Sequence, residues 1–224
     1  MPTRSVEVPV GDIGLAGVLT LPPSADGIVV FAHGSGSSRM SPRNRLVAGE
    51  LVRAGFGTLL IDLLTEDEEP EDRLPGRLRF DIPLREARVV GAIDWLAAEA
   101  VVGDLPPRVK ELPIGCFGAS TGSAAALIAA AERPHRVGAV VSRGGRPDLA
   151  GEALARVTAP TLLIVGGNDP EVLRLNESAQ ATIAGETRLE VVPGAGYLFN
   201  DPGALERVAK LTREWFERHL GEGS

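Results

Sequence analysis

The pentapeptide Gly118-Ala119-Ser120-Thr121-Gly122 breaks an apolar run at 113–117 and passes at once into an alanine-rich segment. A serine held on a sharp strand-to-helix turn has its Oγ lifted clear of a sheet, and only small neighbours let the two backbones pass that closely. Ser120 is therefore the expected nucleophile, flanked by Gly118 and Gly122. The helix after it directs free N–H groups back at the serine, so the Thr121 amide is expected to help bind an oxyanion. The same letters also fit a plain glycine-rich turn. A second stretch, His33-Gly34-Ser35-Gly36, ends another apolar run. Its Ser35 N–H is the expected second oxyanion donor, while a flexible turn or an anion-binding nest of amides remains open for the same residues. No Gly-Lys-Ser/Thr ending follows, which argues against a nucleotide P-loop.

These loops need a rigid frame. A continuous apolar run at 27–32 reads as a strand covered on both faces, and further buried strands are read at 57–63, 113–118, 137–141, 160–165 and 188–192, with helices at about 42–54 and 83–100, after the elbow, and around Trp215. Residues 5–10 and 15–21 flank a Gly11-Asp12 turn and predict an antiparallel hairpin at a sheet edge. Alternating strands and helices imply an α/β fold, a mostly parallel doubly wound sheet in one domain over 1–224, with functional loops at the strands' C-terminal ends. Those ends carry Ser142-Arg143-Gly144-Gly145-Arg146, Gly166-Gly167-Asn168-Asp169 and Pro193-Gly194-Ala195-Gly196-Tyr197. Arg39, Arg43, Arg45, Arg143 and Arg146 are placed in loops bordering a pocket, where they either bind a substrate carboxylate or phosphate or are simply solvated. The acidic run at 65–72 reads as a solvated loop, not a metal site.

Composition narrows the classes. Phe, Trp and Tyr supply 4 % of 224 residues while apolar types supply 44 %, so aliphatic side chains must build the core. A chain this long buries roughly 70 % of its unfolded surface in one core. The net charge of −7 argues against nucleic-acid or anionic-membrane partners. Cys116 is single and lies in the elbow strand, so it reads as a packing residue. With three scattered histidines and one cysteine, no metal and no cofactor are expected. The absence of a basic-plus-apolar leader or a long apolar run predicts a soluble, cytoplasmic protein acting on a small molecule.

Order and motifs together resemble the α/β-hydrolase superfamily, and within it the dienelactone-hydrolase-like branch of small enzymes without a large cap domain. The resemblance covers essentially the whole chain. It places the family's nucleophile on Ser120, its acid on Asp169 in Gly-Gly-Asn-Asp-Pro, and its oxyanion loop on His33-Gly34-Ser35-Gly36. The family's closing motif resembles Gly-Ala-x-His-Leu-Phe, where this chain reads Gly194-Ala195-Gly196-Tyr197-Leu198-Phe199. Tyrosine thus stands at the catalytic histidine's position. With a reference pKa of about 10 it is a donor more readily than a base. His135 and His219 lie at far helix ends, roughly 20 and 25 Å from the site by helical rise. His33 is nearer, as a brace for the oxyanion loop or a replacement base, and with Gly34 and Arg143 it is a candidate for touching substrate. Asp169 also fits a helix N-cap, and without histidine it is expected to accept from the Tyr197 hydroxyl. The short segment at 142–151 implies an open pocket. Three readings follow: a hydrolase of small esters or lactones with weak activity; a lyase, isomerase or cyclase using Tyr197 as acid or donor; and a non-catalytic ligand-binding relative of the fold.

Overall fold

The computed structural model describes residues 3–68, 78, 81–102 and 105–221, without the side chains of 99–102. Eight strands form one sheet in the order β1-β2-β4-β3-β5-β6-β7-β8. Strands β1 (Thr3–Val10) and β2 (Ile13–Thr20) make the expected antiparallel hairpin. β2 then runs antiparallel to β4 (Gly57–Ile61), after which every pairing is parallel through β3 (Ile28–Ala32), β5 (Ile114–Ala119), β6 (Val137–Arg143), β7 (Thr161–Gly166) and β8 (Thr187–Val192).

The strands alternate faces with period two, and each face meets helices. Val29 and Phe31 of β3 and Phe117 of β5 join Val47 and Leu51 of α1 (Pro42–Arg53) and Trp215 and Phe216 of α5 (Ala204–Leu220). Ile28, Val30 and Ala32 point the other way, into Val89 and Ile93 of α2 (Ile82–Val102), the alanines of α3 (Thr121–Glu132) and Ala179 of α4 (Pro170–Thr182). Both faces of the central strands are apolar because both are covered. The edge strand β8, expected to be buried, is only partly so: it carries Arg188 and Glu190 and leaves Val191 exposed, because an edge strand lacks a neighbour on one side. Cys116 is completely buried on the second of the two faces, and burial pushes its thiol up to about 12, so it packs and does not react.

Two 3-10 segments were not anticipated: Pro107–Glu111, and Pro147–Arg156, which follows β6 and packs beside α3 and α4. Arg43 and Arg45 lie on α1, not in a loop. The acidic run needs correction where it is described. Glu68 is not simply solvated, because Arg88 donates to it at 2.8 and 3.2 Å and the Thr65 amide at 2.8 Å. Burial raises its carboxyl, but the bonds from Arg88 and Thr65 outweigh that and leave it below the usual range. Residues 69–72 of the run, and Arg77, Arg79 and Phe80 before α2, lie outside the described residues. Among the described residues no helix is long and apolar enough to cross a membrane.

Candidate active site

At the C-terminal end of β5, Ser120 has φ 54° and ψ −126°, a conformation that a residue with a Cβ adopts only under strain. Its neighbours hold it there. The Ser120 carbonyl accepts the Ser123 hydroxyl at 2.8 Å and the Arg146 amide at 3.1 Å, and the Ser120 amide donates to the Arg143 carbonyl at 3.3 Å. Both elbow glycines are required by contact. A Cβ on Gly118 would lie 2.3 Å from Ser123 Cα, and one on Gly122 would lie 2.2 Å from the Ala32 carbonyl oxygen. Gly34 crosses the serine as closely, since a Cβ there would sit 2.8 Å from Ser120 Cβ.

The Tyr197 hydroxyl donates a short hydrogen bond to Ser120 Oγ. Its loop is pinned from several sides. Asn168 donates through its amide to the Ala195 carbonyl at 3.0 Å and through Nδ2 to the Gly194 carbonyl at 2.8 Å, and the Gly196 amide donates to Asp201 at 2.9 Å. Phe199, at φ 55°, buries its ring at the end of the loop. Tyr197 itself is 38 % exposed and lines the cavities on both sides of Ser120.

Two of the remaining residues take the structural alternative read for them, His33 as a brace and Asp169 as a helix cap. His33 is buried, and its Nε2 accepts the Leu63 amide at 2.9 Å. That fixes the proton on Nδ1, which donates to the Gly34 carbonyl at 2.8 Å. With both nitrogens engaged, His33 braces the loop; its expected roles as replacement base and substrate contact are corrected by this bonding. The expected Asp169–Tyr197 hydrogen bond is not formed. Asp169 instead caps α4, accepting the Val172 amide at 3.2 Å, although it lines the same cavity as Ser120 and Tyr197. The Ser35 amide donates to Thr121 Oγ1 at 3.1 Å, and the two hydroxyls lie 3.2 Å apart. An oxyanion would have to share or displace that bond. The Thr121 amide opens α3 and belongs to the first turn, whose N–H groups lack intrahelical acceptors.

Two cavities meet at Ser35, Ser120 and Tyr197. One of about 430 Å³ extends past Asp169, Arg146 and Leu175. The other, about 90 Å³, lies against Gly34, Ser37, Arg43 and Arg143. Arg143 has its guanidinium 5.9 Å from the Phe199 ring centre, and burial, with the Arg43 charge adding to it, brings its pKa down to about 10 while Tyr197 opposes the shift. It therefore stays charged at neutral pH. His219 sits against Trp215 on α5 and takes no part in the site. The roles of the Thr121 hydroxyl, Asn168 and Asp201 are not announced by the sequence, because each depends on how loops meet in the fold, whereas Arg43 borders the pocket as read, carried on α1.

A solved dienelactone hydrolase from Anabaena variabilis ATCC 29413 superposes on this chain with a TM-score of 0.92 at 55 % identity, covering 98 % of each chain. A dienelactone hydrolase-like promiscuous phosphotriesterase from metagenomic libraries shares the fold at TM-score 0.76 and 18 % identity over 98 % of this chain and 99 % of that one. A Mycobacterium tuberculosis (strain ATCC 25618 / H37Rv) protein named "Putative phosphoribosyl transferase" is 56 % identical over 217 residues, which is 97 % of this chain. The chain spans about half the length of the curated relatives it matches, 46 % of each. The family model for dienelactone hydrolases matches residues 15–220, and with the elbow and strand order in place the chain belongs to the dienelactone hydrolase family.

Proposed function

We infer that the chain is a hydrolase of small ester or lactone substrates in which Ser120 is the nucleophile and Tyr197 replaces the family's histidine. The observation that supports this most is the hydrogen bond from the Tyr197 hydroxyl to Ser120 Oγ on a strained elbow. A neutral phenol is a poor base, so the serine proton is best moved by relay. For attack the bond between the two hydroxyls reverses, Ser120 donating to the Tyr197 oxygen and the tyrosine proton turning to the substrate. As Oγ bonds to the carbonyl carbon, its proton passes to the Tyr197 oxygen while the tyrosine's own proton passes to the leaving oxygen. Tyrosine is neutral before and after, and the acyl–oxygen bond of the substrate breaks. The Thr121 amide faces the developing oxyanion in this scheme. Hydrolysis of the acyl-serine repeats the relay with water. Without a base near neutral pKa the turnover is slow, since loss of a triad member typically costs about 10⁴ to 10⁶ in kcat.

A second reading, lyase or isomerase chemistry with Tyr197 as general acid, draws on the same hydroxyl being a donor. The transferase name of the curated relatives belongs to proteins of which this chain matches 46 %, and the hydrolase reading is assigned to the shared segment. Turnover of activated short-chain esters separates the readings. Hydrolysis that disappears in Ser120→Ala, falls about 10² or more in Tyr197→Phe and rises in Tyr197→His supports the hydrolase. Turnover indifferent to Ser120→Ala overturns it.

A further inference from the structure

The arginines around the site separate by partner. Arg39 is committed to Asp62 through both backbone and side chain, and Arg146 to Asp148 through two bonds of 2.8 and 2.7 Å. Arg45 faces a separate groove of about 530 Å³ between α1 and the first hairpin. Arg43 and Arg143 differ from these. Both line the 90 Å³ compartment beside Ser120, and among the described residues neither has a carboxylate partner. Arg143 is 7 % exposed, and the Nε atoms of both arginines are buried without an acceptor. Two guanidiniums sharing a small, largely desolvated space repel each other, and each leaves hydrogen-bonding capacity unused. Such a pair is unfavourable until an anion joins it.

We propose that the compartment lined by Arg43, Arg143, Ser37 and Gly34 binds a doubly charged oxyanion group, the phosphate monoester of an ester or lactone substrate. The charge match selects a dianion, because a carboxylate would leave one of the two cations uncompensated. Guanidinium forks and the Ser37 hydroxyl suit tetrahedral phosphate oxygens. The volume admits one such group and not a whole ester, so the rest of the substrate crosses Ser120 into the 430 Å³ cavity. The anion site stands on its own geometry; its role as a substrate anchor rests on the hydrolase reading of Ser120.

Calorimetric titration of the full chain with inorganic phosphate tests the site without requiring turnover. Phosphate is expected to bind the unsubstituted protein and Arg45→Gln alike. Binding is expected to weaken about tenfold or more in Arg43→Gln and in Arg143→Gln, and acetate to bind at least about tenfold more weakly than phosphate. Should Arg143→Gln fail to fold, Arg43→Gln on the half-buried face of α1 decides the matter. No phosphate binding, binding unchanged in Arg43→Gln, or acetate binding as tight as phosphate overturns the proposal. Phosphate binding in a protein whose Ser120 never acylates removes the hydrolase reading and keeps the anion site, and the opposite pair of results removes only the anion site.

Discussion

Replacing Ser120 by glycine and by alanine separates backbone strain from the chemistry of the hydroxyl. Both variants lose Oγ and its bond to Tyr197, so the difference between them reports the backbone alone. At an ordinary position alanine is favoured over glycine by about 0.4 to 1 kcal/mol, because glycine has more freedom to lose on folding. At φ 54°, ψ −126° the order reverses. A Cβ held in that region costs about 1 to 3 kcal/mol, so Ser120→Gly should exceed Ser120→Ala in stability by about 1 to 2 kcal/mol. For a domain of roughly this size each kcal/mol moves Tm by about 2 to 4 °C, giving a gap of about 2 to 8 °C. Thermal unfolding followed by circular dichroism at one pH and protein concentration measures it. An alanine variant as stable as the glycine variant would refute the claim that the elbow stores strain.

Two further outcomes follow from other parts of the molecule. Gly122→Ala places a Cβ 2.2 Å from the Ala32 carbonyl oxygen and 2.6 Å from that of His33, both backbone, so a loss of about 3 kcal/mol is expected in denaturant unfolding; a change within error would contradict the close passage of helix and strand. Burial, followed by the Glu132 charge, raises the Glu86 carboxyl above its ordinary 4.5. The ionised form is therefore disfavoured in the fold, and Glu86→Gln should raise Tm at pH 7, with the gain shrinking as pH falls through the raised value and absent below 4.5. A gain independent of pH would contradict this assignment.

Much of the fold is legible in the sequence because its central strands are covered on both faces. Runs such as Ile28-Val29-Val30-Phe31-Ala32 have no polar face to confuse the reading, and they fall within a residue or two of the observed strands. The 3-10 segment Pro147–Arg156 escaped because it has no sustained helical period and bends at Gly151, where φ is 53°. At the site, Ser120 is announced by its flanking glycines, since the steric demand is local. The fates of His33 and Ser35 are not local. Each has a type suited to catalysis, and each is bonded in the fold to a group distant in the chain, Leu63 and Thr121, whereas the capping of α4 by Asp169 is a local contact to Val172 and is legible as such. The arginines illustrate the same limit, for Arg39 and Arg143 look alike until Asp62 is found beside one and Arg43 beside the other.

The most direct measurement is the intact mass of the protein after exposure to a fluorophosphonate, compared across Ser120→Ala, Tyr197→Phe and Tyr197→His. The account predicts one adduct per chain, absent in Ser120→Ala, formed more slowly in Tyr197→Phe and faster in Tyr197→His. An adduct that survives in Ser120→Ala, or none in the starting protein together with none in Tyr197→His, would contradict Ser120 as a nucleophile served by the residue at 197.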